Sequence, residues 1–312
     1  MNGSLGAGLE VVTVTAPAEH PAARAGRLPR NRSVWIGAAV LLVIVAIAVL
    51  APALGTSNPA EIEPTARNRR PGAQRVIRHD DGSKTVTTYR MGTDSLGRDV
   101  YSRVIYGSRV SLVVGVSVAL VSVVIGLVIG LVSGYIRWLD AIVMRVMDGL
   151  MSIPAILLAI ALVSLSRGAG LRTVIFAILI PEVPRVVRLV RSVVLSVREE
   201  PYVEAARALG APTAAVLTRH VLPNTIAPLV VQGTFVCASA ILLEAILSFL
   251  GVGIPPETPT WGNIMAEGRA LFRIFPHNIL FPSIFLAATV LAVNMLGDGL
   301  RDLLDPRVRK QI

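Results

Sequence analysis

Along this chain the apolar residues fall into long uncharged runs, not into the three-in-seven or alternating patterns that coat one face of a soluble helix or strand. A helix rises 1.5 Å per residue, so crossing a hydrocarbon core about 30 Å thick takes roughly 20 apolar residues. Five stretches meet that need without Asp, Glu, Lys or Arg: residues 34–54, 110–136, 149–166, 221–243 and 274–297. A sixth starts at Leu171, is apolar through Ile180, and then reads Pro181-Glu182-Val183-Pro184-Arg185, with Arg188 and Arg191 following. Arginines three residues apart share one helical face, so this helix is expected to leave the bilayer there with its basic face in water. The pattern predicts an all-α polytopic membrane protein with six transmembrane helices.

Composition agrees: 53% of the 312 residues are hydrophobic and 16% charged, against about a quarter charged in a soluble domain. The net charge of +10 would suggest nucleic acid in a soluble protein. Here 28 Arg and 2 Lys lie mainly between apolar runs, where topology is a sufficient reason for them, and no nucleic-acid partner is expected. A single cysteine, Cys237, excludes an intrachain disulfide, and the four histidines lack metal-ligand spacing, so no metal or cofactor site is expected in the chain.

Basic residues set the expected orientation. With the N-terminus inside, the cytoplasmic face holds Arg24, Arg27, Arg30 and Arg32, then Arg185 to Arg219, then Arg301, Arg307, Arg309 and Lys310. The stretch 61–109 opposes this with ten basic residues, partly offset by six acids, but long translocated loops obey the rule weakly. The expected organisation is a cytoplasmic tail (1–33), a first span (34–54), an extracytoplasmic loop (55–107) with a short hairpin near 83–89, a five-span core (108–303) and a cytoplasmic tail (304–312). The multi-pass chain would thus sit in the cell membrane, in contact with lipid, with both termini cytoplasmic. Ala51-Pro52-Ala53 resembles a signal cleavage site, but the uncharged core before it is longer than a signal peptide's and favours a retained anchor.

Between the fourth and fifth runs lies REEPYVEAARALGAPTAAVLTRHVLPNTIAPL, residues 198–229. Pro201 suits a first helical turn, Glu199 and Glu200 favour its positive end, and the residues from Glu204 to Leu209 are strong helix formers. Gly210 permits a reversal, and a second short helix from 211 is expected to stop at Leu222-Pro223. Small alanines at the tip would let another protein approach the backbone.

This segment resembles the EAA loop of inner-membrane permeases of binding-protein-dependent ABC importers, through Glu204-Ala205-Ala206, Gly210 and Leu222-Pro223. His220, where many members have Ile, followed by Val-Leu-Pro-Asn, is similar to the dipeptide, oligopeptide and nickel subgroup. Three further stretches resemble its C-type permease: 92–107, beginning GTDSLGRDV; 247–262, beginning LSFLGVGIPP; and 294–307, containing LGDGLRD and LDPR. The resemblance covers residues 91–307. It implies the type I importer permease fold and a heterodimer with a second homologous permease that encloses the peptide pathway. Two separate subunits or domains would bind ATP and Mg, and an extracytoplasmic binding protein would deliver dipeptide or oligopeptide cargo. A nickel chelate or another small solute is the alternative cargo within that class.

The resemblance also gives Glu204, Ala205, Ala206, Gly210, His220, Leu222 and Pro223 to an ATPase-coupling loop. Glu244 lies within an apolar run; an intramembrane functional carboxylate and a residue near the outer end, ion-paired or solvated, stand side by side. Asp94, Arg98, Asp99 and Arg103 flank the second run at spacings that allow local ion pairs, the simpler reading; the other is a charged outer mouth that meets the binding protein. Trp261 is expected as an interfacial anchor.

The chain holds no P-loop, because Lys84 and Lys310 lack the required Gly before and Ser or Thr after them, so it is expected to be no ATPase. A secondary transporter would carry carboxylates or broken helices at matching places in two halves, for which Glu244 alone is a thin case. An intramembrane enzyme would need motifs that are missing. The topology predicts that a cysteine placed at Ala211 reacts with an impermeant reagent only from the cytoplasmic side; labelling from outside alone contradicts it.

Overall fold

The computed structural model describes residues 32–78, 84–166, 168 and 170–304. Nearly all of both expected tails and residues 79–83, which include the first residue of the expected hairpin, lie outside them. The first apolar run forms α1 (Arg32–Val49). It ends where Ala51-Pro52-Ala53 tightens into a 3-10 turn and where Arg109 donates to the last carbonyls, Nε to Ala48 O and Nη2 to Val49 O at 2.9 Å. A cation there complements the negative end of the helix. The hairpin pairs β1 (Ala73–Arg78) with β2 (Lys84–Tyr89), antiparallel, with Ala73 opposite Tyr89.

α2 (Val100–Tyr135) starts ten residues before the apolar run, inside the loop expected to reach 107. Asp99 caps it, accepting from the Ser102 N–H at 3.0 Å. Charges at Arg103 and Arg109 masked the helical start because both find partners inside the fold. The run expected at 149–166 is instead a break. Amphipathic α3 (Arg137–Ser152) and apolar α4 (Ala155–Leu165) meet at 90°. Pro154 restricts Ile153 to extended backbone and so separates them. Eleven residues of α4 reach only about 16 Å, so α4 alone is too short to cross, and only the bent pair together has the length of a span.

α5 (Leu171–Val197) continues unbroken past Pro181 and Pro184. Its arginines do not simply face water as expected. Arg191 grips Asp140 of α3 with both Nε and Nη2, Arg188 pairs with Asp148, and Arg185 reaches Glu182 at 3.3 Å. After α6 (Pro201–Ala208) and α7 (Thr213–Val216), a π-helical turn, Leu217–Val221, leads directly into α8 (Leu222–Phe249). Leu222-Pro223 is therefore a continuation, not the expected stop. The wider π turn precedes a fresh helical start, where the N–H that proline lacks is not needed. α9 (Trp261–Gly268) and α10 (His277–Leu304) complete the chain.

Three helical stretches, Val100–Tyr135, Thr213–Phe249 and His277–Leu304, are long and apolar enough to cross a membrane, and the bent pair makes a fourth. α1 is apolar but shorter, and the charges of α5 interrupt its apolar run. The described residues thus hold three such spans, or four with the bent pair, where six were expected.

The core forms where α2 meets α5. Gly126, Gly130 and Gly134 of α2 face Val186, Val190 and Val194 of α5, each set at four-residue spacing in the same chain direction, so the helices run parallel. A Cβ at those glycines would lie 2.5, 2.6 and 2.9 Å from the facing valine Cβ atoms. Bare backbone is what permits this approach, as in close helix pairs within lipid. Replacing Gly130 by Val is expected to cost about 1–3 kcal/mol through overpacking, read as thermal unfolding of the detergent-solubilised protein. Gly149→Val, with open space around its Cβ, is the control; equal effects at both positions contradict the packing account.

Candidate functional site

Two polar constructions lie at opposite ends of this body. The first is the loop between α5 and α8. Glu200 precedes Pro201 at the start of α6, and Val203, fully buried, pins that helix to the main core. Gly210 adopts φ +82°. Its N–H donates to Arg207 O at 3.0 Å, and the Ala211 N–H donates to Ala206 O at 3.0 Å. These are the two hydrogen bonds of a Schellman turn, in which a left-handed glycine ends a helix. The expected reversal at Gly210 is thus present.

Glu204 and Ala205 are exposed and Ala206 is half-buried on α6. Among the described residues Glu204 has no ion pair. Leu209, which the sequence reading passed over, is 89% exposed beside the turn; a leucine among helix formers gives no signal of exposure until the turn is known. His220 is differently placed. Its ring packs on Tyr202, centroids 5.9 Å apart, and its carbonyl accepts from Asn224 Nδ2 at 2.6 Å, with the Tyr202 hydroxyl at 3.3 Å from the same nitrogen. Together with Leu222 and Pro223 at the π turn, His220 mounts α6 onto α8; the exposed tip is Glu204 to Gly210.

The second construction gathers the start of α2, the end of α8, α9 and the start of α10. Asp94 and Arg98 pair at 2.7 Å, and Arg98 Nη2 also meets Glu267 of α9. Arg103 reaches Glu267 at 3.4 Å and Asp94 at 3.8 Å, and its Nη2 lies 3.4 Å from both Asn263 Oδ1 and Pro256 O. Asp94, Arg98 and Arg103 are buried. The Asp94–Arg98 pair is local, whereas Arg98 and Arg103 also reach across to Glu267 of α9, so all three lie inside a buried cluster. Asp99 stands apart as the α2 cap, its carboxyl pushed up by burial against the pull of Ser102. Burial likewise pushes the Glu267 carboxyl up, opposed by Arg103 and Arg98.

Glu244 is fully buried in α8. It accepts from Ser248 Oγ at 2.8 Å and from Ser111 Oγ of α2 at 3.2 Å, and no arginine pairs with it among the described residues. Ser248 Oγ in turn accepts from the Ile254 N–H at 3.4 Å. The carboxylate therefore ties α2, α8 and the turn before α9 together. Thr260 and Asn263 then cap α9 reciprocally, with bonds of 3.2 and 3.0 Å. Trp261, expected at an interface, is fully buried: its Nε1–H donates to Val104 O at 3.1 Å, and Phe285 packs beside it. Sequence reasoning missed Glu267 and Asn263, although Thr260-x-x-Asn263 has the spacing of a capping pair.

Comparison with known proteins identifies the class. Residues 122–310 match the family described as binding-protein-dependent transport system inner membrane component, and residues 23–71 match the N-terminal TM domain of oligopeptide transport permease C. The chain belongs to the first family: it is a membrane-integral component of a binding-protein-dependent transport system. Its relatives include a probable peptide ABC transporter permease of Sinorhizobium fredii, 52% identical over 90% of this chain and 91% of that protein. A dipeptide transport system permease of Alkalihalophilus pseudofirmus is 38% identical over 91% and 88%. A glutathione transport system permease of Escherichia coli is 45% identical over 70% and 72%. The likeness extends N-terminal of residue 91, where the sequence motifs began.

Removing one partner from a buried charge cluster leaves the others uncompensated. Glu267→Ala is expected to destabilise the protein by about 3 kcal/mol, measured as thermal unfolding in detergent. Asp298→Asn, at an exposed carboxylate without an ion pair among the described residues, should change stability by less than about 0.5 kcal/mol. Equal, small losses contradict the cluster's structural role.

Proposed function

We propose that this chain is one of two homologous permease subunits of an ABC importer for dipeptides or oligopeptides, with both termini cytoplasmic. ATP and Mg bind on two separate subunits or domains that dock on the 198–224 loop, and an extracytoplasmic binding protein delivers cargo at the opposite end. Peptide cargo is supported by the names of relatives aligned over nine-tenths of the chain. The observation that carries the coupling assignment is the tip: a short helix closed by a left-handed glycine, presenting a nearly bare Leu209 and a Glu204 that has no ion pair among the described residues.

The mechanism follows from the mounting. α6 leaves the end of α5 after three residues, and α5 lies against α2 through the glycine seam. A partner that pushes on Leu209 and Glu204 therefore moves α5 and α2 as a body. On the other side the π turn and the Tyr202–His220 contact carry the push into α8. Closure of the ATPases reorients the helices and alternates access to the pathway.

The test is peptide uptake, together with cross-linking of the loop to the ATPase, in membranes holding equal amounts of each variant. Gly210→Val strains a left-handed position by about 1–2 kcal/mol and misaims the tip. Glu204→Lys puts a cation near the positive end of α6, and Leu209→Asp removes the apolar anchor. Each is expected to lower uptake and cross-linking while the protein still inserts. Normal uptake and cross-linking in all three contradict the coupling role; unchanged peptide uptake in cells lacking this chain and any redundant importer contradicts the peptide role.

A further inference from the structure

At the loop end of the body, α5, α8 and α10 leave a cavity of about 610 Å³ between them, within the size range of small-molecule sites. One face of α8 lines it, with Asn224, Pro228, Gln232 and Phe235 at successive turns, opposed by Leu189 of α5 and Arg301 of α10. Its chemistry is mixed. Pro228 lacks the N–H that would bond to Asn224 O in the helix, and no side chain among the described residues donates to that carbonyl. The half-buried Gln232 amide makes no hydrogen bond to the described residues. Arg301 makes no ion pair among them, although Asp298 lies one turn away. The Asn224 carbonyl, an amide that both donates and accepts, and an exposed cation thus border one space whose remaining wall is apolar.

We propose that this cavity is a cargo station for a short peptide, in which Arg301 binds the terminal carboxylate while Gln232 and the Asn224 carbonyl bind the backbone amide groups. Phe235, Leu189 and Pro228 supply an apolar wall that accepts varied side chains. Arg185, Arg188 and Arg191 of α5 do not compete for the carboxylate, because each is held by an acid of α5 or α3. The cavity borders Asn224, three residues past the end of the π turn, so movement of the coupling loop changes its α8 wall directly. The site rests on the peptide-permease reading and adds to it which chemical ends of the cargo this chain recognises.

The test uses the permease pair with its ATPases in lipid nanodiscs, without binding protein, and tritiated alanyl-alanine as probe. Unlabelled alanyl-alanine should displace it at least about tenfold better than alanyl-alanine amide, since a hydrogen bond to a charged group contributes that much. Arg301→Gln should abolish this advantage by weakening binding of the acid alone, Arg301→Lys should keep part of it, and Gln232→Leu should weaken acid and amide alike. Equal weakening of acid and amide by Arg301→Gln, or loss of its effect in nanodiscs of neutral lipid, is the signature of an arginine bound to lipid phosphate and overturns the proposal. Variants that bind like the parent overturn it too, as does a parent complex that retains no probe. Uptake of the same dipeptide by the complete system, binding protein included, separates the two readings: uptake without retention defeats the station alone, and absence of uptake defeats the peptide reading as well.

Discussion

Backbone contact between α2 and α5 is the constraint on which the rest of this structure depends. Within lipid, apolar side chains gain little by leaving one hydrocarbon surface for another, so helices associate through close packing and interhelical polar contacts. Three glycines one turn apart admit three valines, and a β-carbon on any of the glycines would force the helices apart. Polar contacts then fix the register. Arg198 donates to Gly134 O at 3.3 Å, and the grip of Arg191 on Asp140 holds α3 across the same end. Because α6 follows α5 almost immediately, the loop tip inherits the rigidity of the pair.

At the other end, charge replaces close packing as the organising force. Burying Asp94, Arg98, Arg103 and Glu267 together costs desolvation that their mutual attraction offsets only in one geometry. A misplaced α9 would leave Asp94 alone to compensate two buried arginines, which makes the cluster a register device for the segment between α8 and α10. Glu244 extends it, reaching Ser111 across to α2 and Ser248 within α8. Both ends of the body are thus fixed by interactions that tolerate little displacement, and the cavity between α5, α8 and α10 lies beside the one mount, the π turn, whose helical pattern is irregular.

What could be read from the sequence was what depends on local chemistry. The apolar runs other than 149–166 became mainly helix, Gly210 became the reversal, and the residues around Glu204 became an exposed tip. Partners distant in sequence could not be read. Arg103 looked like a loop charge because Glu267, its partner, lies 164 residues away. Leu222-Pro223 looked like a stop because the π turn that absorbs the proline has no sequence signature of its own. Trp261 looked like a membrane anchor because nothing local shows that the Val104 carbonyl waits for its indole N–H. The break at Pro154 was overlooked because apolar content hid the proline that separates α3 from α4.

The central claim is that α2, α5 and the loop tip move as one body when the ATPases close. Spin labels at Leu209 and Leu120, both exposed, one at the tip and one on α2, measure it directly in the assembled transporter by pulsed electron resonance. The account predicts the same narrow distance distribution without nucleotide and with ATP trapped. A distribution that shifts or broadens with nucleotide would mean that the tip flexes independently of the helices, and would contradict it.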